Sequence, residues 1–187
     1  GFLIFIFLNG VVSNAAANYT GYFFDDVMKT PLEIGLIFGT WTLFEIPVMK
    51  FSRALIDTFG NARLIMLGLL FNGLRLILFS FFTLETPYLW KLTASLLQGP
   101  GFGLTHIGII DFVDRQAHPD MRATYMNIMN VARMSLASAL GGIMGSWMIA
   151  QRGSAFLMQF CGFGLIALIF FFAFLVRGQR RQEKTGL

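Results

Sequence analysis

Long apolar runs alternate with short polar segments along the entire chain. Each apolar run is close to the roughly 20 residues that a helix needs to cross a bilayer. Runs such as LIALIFFFAFLV lack the strict alternation of a spanning strand, so the pattern favours helices throughout. The prediction is an all-α polytopic membrane protein with six transmembrane helices, at residues 2–24, 33–52, 64–83, 89–113, 123–150 and 154–176.

The composition supports the same class. Of the 187 residues, 56% are hydrophobic and 13% are charged, whereas a soluble domain carries about 25% charged residues. Much of the surface must therefore contact lipid, in agreement with a mean hydropathy of +0.67. The single cysteine, Cys161, lies in an apolar run and offers neither a disulfide framework nor a metal-binding spacing. We expect no metal and no cofactor.

The basic residues predict the orientation in the membrane. One set of helix flanks holds nine of them: Lys50, Arg53, Arg63, Arg115, Arg122, Arg177, Arg180, Arg181 and Lys184. The opposite flanks hold three, which are Lys29, Lys91 and Arg152. This excess places the first set, with the basic tail at 177–187, in the cytoplasm of an integral plasma-membrane protein, the inner membrane in bacteria. The net charge of +4 thus reflects topology and tail contacts with anionic lipid, and no nucleic-acid partner is expected.

Five polar side chains from five predicted helices lie at a similar depth: Asn14, Glu45, Arg75, His106 and Arg133. At about 1.5 Å per residue, each lies roughly 10–16 Å from one end of its span, which puts all five in a slab about 6 Å thick. An ionisable group near the bilayer centre costs about 2.5–3.5 kcal/mol and usually faces a bundle interior or a cavity. The sequence therefore predicts one shared polar site.

Helical spacing adds further candidates to this site, because residues three or four apart share a helix face. The substrate-binding candidates are Asn14, Asn18, Trp41, Asn72, Arg75, Asn127, Asn130 and Arg133. Two alternatives stay open. In the first, the asparagines do no more than form hydrogen bonds between helices. Glu45 can form a permanent ion pair with Arg75 or Arg133 that fixes packing and nothing more.

Two small-residue patterns predict close approach between helices. The segment QGPGFG at 98–103 is expected to bend the chain and admit a neighbouring helix, and it lacks the preceding strand of a dinucleotide-binding loop. Ala137, Gly141 and Gly145 recur every four residues and form a small-residue packing ridge.

Two polar segments and two apolar motifs resemble the second half of a major facilitator superfamily transporter. The segment SRALIDTFGNAR at 52–63 is similar to the family's loop pattern G-R-L-x-D-R-x-G-R-R, with matches at Arg53, Leu55, Asp57, Gly60 and Arg63. Ser52 and Thr58 depart from that pattern. Pro119 begins a segment that resembles the family's P-x-x-R-A-T loop. FEIPV and the midspan arginine of LRLILF resemble the branch of lactose permease, nucleoside–proton symporters and phenylpropionate permeases.

The resemblance implies a C-terminal six-helix half, residues 1–176, built as a 3+3 inverted repeat. It also implies that Glu45, Arg75 and His106 take part in proton coupling, while Arg133 lies outside the pattern. A carboxylate in a low-dielectric cavity holds its proton more tightly, and a nearby arginine weakens that hold, so Glu45 is the proposed proton carrier. The expected partners are the lipid bilayer, protons, a small-molecule substrate, and either the missing N-terminal half or a second copy.

The expected function is secondary active transport of a small organic solute (a sugar, a nucleoside or an aromatic acid) by proton-coupled symport and alternating access. Two other functions compete with it. One is a non-transporting structural or receptor-like bundle whose buried charges form permanent ion pairs. The other is an intramembrane enzyme that uses His106 and acidic residues such as Asp111 near the cytoplasmic face.

Overall fold

The computed structural model describes residues 1–116, 118 and 121–185, with the side chains of 116 and 179–185 left aside. This part of the chain is helical and contains no strand, which confirms the all-α class. The elements are α1 (Phe2–Val27), α2 (Pro31–Lys50), α3 (Ser52–Phe59), α4 (Asn61–Phe79), α5 (Tyr88–Ser95), α6 (Gln98–Gln116), α7 (Arg122–Asn130), a π-helical segment (Val131–Leu136), α8 (Ala137–Arg152) and α9 (Ser154–Thr185).

Four helices in the described residues are long and apolar enough to cross a membrane, namely α1, α2, α4 and the Ser154–Gly178 part of α9. The other two predicted spans consist of consecutive pieces. In the fourth, α5 and α6 are separated by a two-residue turn at 96–97, and in the fifth the π-helical segment joins α7 to α8. Broken or irregular helices at membrane depth are tolerated where they are buried in protein or line a cavity.

Helix ends coincide with residues that favour them. The Thr30 side chain accepts a hydrogen bond from the Glu33 amide at 3.3 Å, and Pro31 occupies the first turn of α2. Gly60 and Gly153 have φ angles of 75° and 84°, a region that glycine enters without steric cost. These two glycines separate α3 from α4 and α8 from α9, inside the polar segments that the sequence marks as boundaries.

Packing follows a chain of neighbours: α2 against α6, α6 against α4, α4 against α9, α9 against α1, and α1 against α8. Buried aromatic rings fill the interior, among them Phe5, Phe23, Phe24, Phe79 and Phe172. The helices at the two ends of the series, α2 and α8, keep large apolar side chains exposed, such as Leu43, Ile46, Ile143 and Trp147. These outer faces are available to lipid or to another protein segment.

Glycines set the distance between the helices. A Cβ added at Gly141 would lie 2.7 Å from the Val11 carbonyl oxygen of α1, and one at Gly145 would meet the Tyr19 ring. The predicted ridge on α8 therefore packs against α1. On α6, a Cβ at Gly99 would lie 2.7 Å from Phe44 of α2, and one at Gly101 would lie 2.8 Å from Asn72 of α4. The QGPGFG segment thus allows close packing on two sides, as predicted.

The predicted outer end is closed by polar contacts between helix termini. Lys91 is 1% exposed, and its Nζ donates a hydrogen bond at 2.6 Å to the carbonyl of Val27, the last residue of α1. The Ser154 hydroxyl donates to Asp26 at 2.5 Å and so joins α9 to α1. At the chain's other end α9 continues through the predicted tail as far as Thr185. Pro119, residues 186–187 and the side chains of Arg180, Arg181 and Lys184 lie outside the description.

Candidate functional site

A cavity of about 150 Å³ lies between α1, α4, α6 and the π-helical segment. Its volume is far above the roughly 10–15 Å³ that one water molecule needs. Apolar and aromatic side chains form part of the wall. The polar residues that line it are Asn9, Ser13, Asn14, Asn72, Arg75, Gln98, Thr105 and Arg133. Two guanidinium groups therefore face a space whose described lining residues include no carboxylate.

Arg75 of α4 is 6% exposed, and it makes no hydrogen bond or ion pair with the described residues. Its guanidinium carbon lies 5.1 Å from the centre of the Trp41 ring and 5.2 Å from that of Phe79. Aromatic faces stabilise a cation at these distances through the ring quadrupole. The two rings do not take the place of hydrogen-bond acceptors for the guanidinium N–H groups, although buried N–H donors almost always have an acceptor. The donors of Arg75 are therefore free for a ligand or water.

Arg133 of the π-helical segment is bonded to His106 of α6, with 3.1 Å between Nη1 and Nδ1. Arginine can only donate, so Nδ1 must be the acceptor, and the neutral imidazole carries its proton on Nε2. Phe102 stacks on the imidazole with ring centres 5.4 Å apart and planes 11° from parallel. This geometry fixes the imidazole orientation and fixes His106 as neutral in this conformation.

Asn14 joins α1 to the π-helical segment. Its Nδ2 donates to the Arg133 carbonyl at 2.9 Å and to the Gly10 carbonyl at 2.8 Å. A Cβ added at Gly10 would lie 3.1 Å from the same Arg133 carbonyl, so the two backbones are in close contact there. Single-turn π-helical irregularities are frequent at functional sites. Here the irregular turn carries the arginine that enters the cavity.

Glu45 does not line this cavity. It lies on the side of α2 that packs against α6, where a Cβ added at Gly103 would be 4.0 Å from its Cγ. His106 follows Gly103 by three residues, or about 4.5 Å along the helix axis. Among the side chains that the structure describes, no basic group is within ion-pair distance of the Glu45 carboxylate. The expected pair with Arg75 or Arg133 is absent from this conformation of the described chain.

The predicted candidates are therefore only partly brought together. Asn14, Asn72, Arg75 and Arg133 line one cavity, His106 is bonded to Arg133, and Trp41 stacks against Arg75. Three others are exposed and do not line it: Asn18, Asn127 and Asn130. Asn127 and Asn130 were predicted from α-helical spacing to share a face with Arg133. Arg133 lies instead in a π-helical turn and is buried, while the two asparagines are exposed in this conformation.

Sequence reasoning missed four polar residues of the cavity, which are Asn9, Ser13, Gln98 and Thr105. Asn9, Ser13 and Thr105 interrupt apolar runs, and Gln98 begins the glycine-rich segment, so each carried a detectable signal. Nδ2 of Asn9 and Oε1 of Gln98 are buried without a hydrogen-bond partner among the described residues. The Thr105 hydroxyl donates to the Gly101 carbonyl at 2.8 Å, a bond within α6.

The loop motif lies at the opposite end of the bundle from Lys91. Arg53 and Asp57 are exposed on α3, Gly60 has the positive φ that ends this helix, and Arg63 is exposed in the first turn of α4. Nearby, Asp111 pairs with Arg115 at 2.8 Å. Its carboxylate is thus directed toward Arg115, which gives no support to an acid–base pair with His106.

The chain matches the profile of the MFS_1 like family over residues 1–160. It is 26% identical over 153 residues to the uncharacterized transporter YwbF of Bacillus subtilis (strain 168), covering 81% of this chain and 35% of that protein. It is also 26% identical over 167 residues to a maltose permease of Geobacillus stearothermophilus, covering 89% of this chain and 39% of that protein. The chain thus spans little more than a third of these curated relatives, whose names point to transport and not to an enzyme. On the family match, the chain belongs to the MFS_1 like family of the major facilitator superfamily.

Proposed function

We propose that this chain forms the C-terminal half of a secondary transporter that moves a small organic solute by alternating access, coupled to protons. One observation carries the proposal: two buried arginines from different helices line a polar cavity deep in an apolar bundle. Intramembrane ionisable groups usually mark a substrate or ion pathway. Transporters of this class place such sites between repeated helical units near the bilayer midplane.

The missing ion pair argues against a purely structural bundle. Permanent packing through charge would need a carboxylate beside each buried arginine, because an unpaired buried charge is strongly destabilising. Arg75 has no such neighbour among the described residues, and Arg133 is bonded to an imidazole. Buried polar groups that have no hydrogen-bond partner among the described residues are better explained by a ligand that binds to them and is then released.

Two groups are placed to carry a proton. His106 is neutral while its Nδ1 accepts from Arg133, and protonation there would bring two cations together and break the contact. Glu45 of α2 faces α6 at Gly103, about one helical turn before His106, and has no fixed partner among the described side chains. We propose that proton loading at these groups changes the packing of α6 against α2 and the π-helical segment.

The proposal includes a second half that completes the pathway. A cavity of about 150 Å³ is smaller than the roughly 300–1,000 Å³ of most ligand pockets. Helices α2 and α8 expose apolar faces that another six-helix unit can cover, and the two relatives are more than twice the length of the matched segment. Six crossings, a cytoplasmic tail and a bacterial inner-membrane location belong to the same proposal.

Uptake into proteoliposomes tests this function. The complete transporter is reconstituted with a proton gradient and offered maltose, uridine or benzoate, one from each expected substrate class. We expect proton-driven accumulation of at least one solute. Glu45→Gln should reduce that accumulation about tenfold or more while solute exchange without a gradient persists, since the carboxamide cannot carry a proton.

Glu85→Gln is the matched control, because Glu85 is an exposed carboxylate between α4 and α5. It should leave uptake unchanged. Full proton-driven accumulation in Glu45→Gln would remove Glu45 from the coupling mechanism. Failure of all three solutes to enter above the level of empty liposomes would contradict the transport function itself.

A further inference from the structure

We infer that the cavity beside Arg75 binds the carboxylate group of an organic solute. This inference rests on the proposed function, since it names the chemical class of the transported molecule. Arg75 is 94% buried within the bundle, lines the cavity and has no partner among the described residues. A buried cation in that state is completed by an anion.

Among the fully buried side-chain atoms of the lining that have no partner in the described residues, most are donors. Arg75 contributes Nε and Nη1 and Asn9 contributes Nδ2. Nε1 of Trp41, which stacks on Arg75 but does not line the cavity, is a further unpaired donor. The one unpaired acceptor among the described buried side chains is Oε1 of Gln98. A ligand that satisfies this set must bring acceptors, and a carboxylate brings two oxygens with no donor. A sugar hydroxyl brings a donor with each acceptor and fits the set less well.

The charge of the lining favours the same ligand. Among the residues that the structure describes, the cavity lining holds two guanidinium groups and no acidic side chain, and Arg133 already donates to His106. Arg75 is therefore the cation whose charge is left without a polar partner, and one carboxylate balances it. A phosphate group carries a charge of about −1.5 to −2 at pH 7. It would therefore lose more hydration than a carboxylate on entering a cavity whose wall includes Leu76, Phe102 and Leu165.

Binding of acids and their neutral amides by the complete purified transporter tests the assignment. Acetate, benzoate and gluconate are each compared with acetamide, benzamide and gluconamide, with Trp41 fluorescence as a local reporter beside Arg75. We expect at least one acid to bind about tenfold or more tightly than its amide, because hydrogen bonds to a charged partner are worth that much. Arg75→Gln should abolish the preference and Arg75→Lys should retain part of it.

Arg152→Gln is the matched control, since Arg152 also lies over an aromatic ring, with its guanidinium carbon 4.8 Å from the centre of Phe156, but is exposed and outside the cavity. It should keep the preference for the acid. If the Arg75 variants do not fold, the difference in affinity between acid and amide in the unmodified protein tests the inference by itself. Equal affinity for every acid and its amide would overturn the inference, and so would equally strong competition by inorganic phosphate.

The two proposals fail in different ways. Accumulation of maltose or uridine without binding of any carboxylate would leave the transport function standing and remove the carboxylate site. Carboxylate binding without uptake into proteoliposomes would keep the site and contradict transport.

Discussion

Arg75 and Arg133 line the same cavity but are stabilised by different neighbours. Arg133 donates a hydrogen bond to a neutral imidazole, whereas Arg75 lies against the rings of Trp41 and Phe79. The first contact uses an N–H group and the second leaves the N–H groups free. From this difference we propose separate roles: Arg133 is held in place by the protein, and Arg75 is available to the proposed substrate.

Replacing His106 should show how much the protein depends on the Arg133 contact. His106→Leu removes the acceptor and leaves a buried guanidinium N–H unpaired, so we expect a loss of about 1–3 kcal/mol in unfolding free energy. In His106→Asn the amide oxygen can take the place of Nδ1, and the loss should be smaller. Thermal unfolding of the purified protein measures both. Identical unfolding temperatures for the leucine and asparagine variants would contradict the role of the hydrogen bond.

Depth along each helix could be read from the sequence, but side-chain direction could not. Counting residues placed Glu45, Arg75 and Arg133 at one level, and the structure brings the two arginines to one cavity. Glu45 faces a different part of α6, because the rotation of α2 about its axis depends on how it packs against glycines of another helix. That rotation is a tertiary property. The stacking of Trp41 on Arg75 was missed for the same reason.

At the scale of helices, the contact between α4 and α6 depends on the absence of side chains. A Cβ added at Gly68 would overlap the Thr105 hydroxyl and lie 2.6 Å from the Thr105 backbone nitrogen and 2.8 Å from the Gly101 carbonyl oxygen. Backbone atoms cannot turn aside as a flexible side chain can. The same contact positions Arg75 of α4 relative to Gln98 and Thr105 of α6, so packing and cavity shape are linked.

We therefore expect Gly68→Ala to destabilise the protein by about 1–3 kcal/mol, the usual cost of overpacking a close contact. Gly39→Ala is the matched control, since Gly39 lies within a helix of similar length and a Cβ there would meet nothing within 4 Å. It should be neutral or slightly stabilising, because alanine favours helix more than glycine does. Thermal unfolding in detergent compares the two. A Gly68→Ala protein as stable as Gly39→Ala would show that the helices can separate without penalty.

Most helix boundaries were predictable because proline, glycine and polar clusters mark them directly. The predicted span at 33–52 corresponds to Pro31–Lys50, and that at 64–83 to Asn61–Phe79. The π-helical segment at Val131–Leu136 was not predictable, since its six residues have no feature that separates them from an α-helix. Its geometry is set by contacts with α1, including the Asn14 bond to the Arg133 carbonyl. Irregular backbone stabilised by a neighbouring helix leaves little trace in the local sequence.

At the scale of the whole molecule, the small cavity and the exposed apolar faces support the proposal that this chain is one half of a transporter. The cavity is small, and the helices at the ends of the packing series expose apolar residues over much of their length. In lipid these faces need no aqueous cover, so the chain can pack as a stable unit while its pathway stays incomplete. In the transporter that we propose, Arg75 of this half recognises the ligand, and the second half is needed to enclose it.

The distribution of basic residues predicts the direction of insertion, and this prediction can be tested with two exposed arginines at opposite ends of the bundle. In intact cells a membrane-impermeant maleimide should label Arg152→Cys and should label Arg63→Cys only after permeabilisation, because the excess of arginine and lysine places Arg63 in the cytoplasm. Labelling is measured against the unsubstituted protein, whose Cys161 is buried and shielded from the reagent. The reverse pattern would invert the topology. It would place the loop motif outside the cell, together with the basic residues from which the cytoplasmic orientation is predicted.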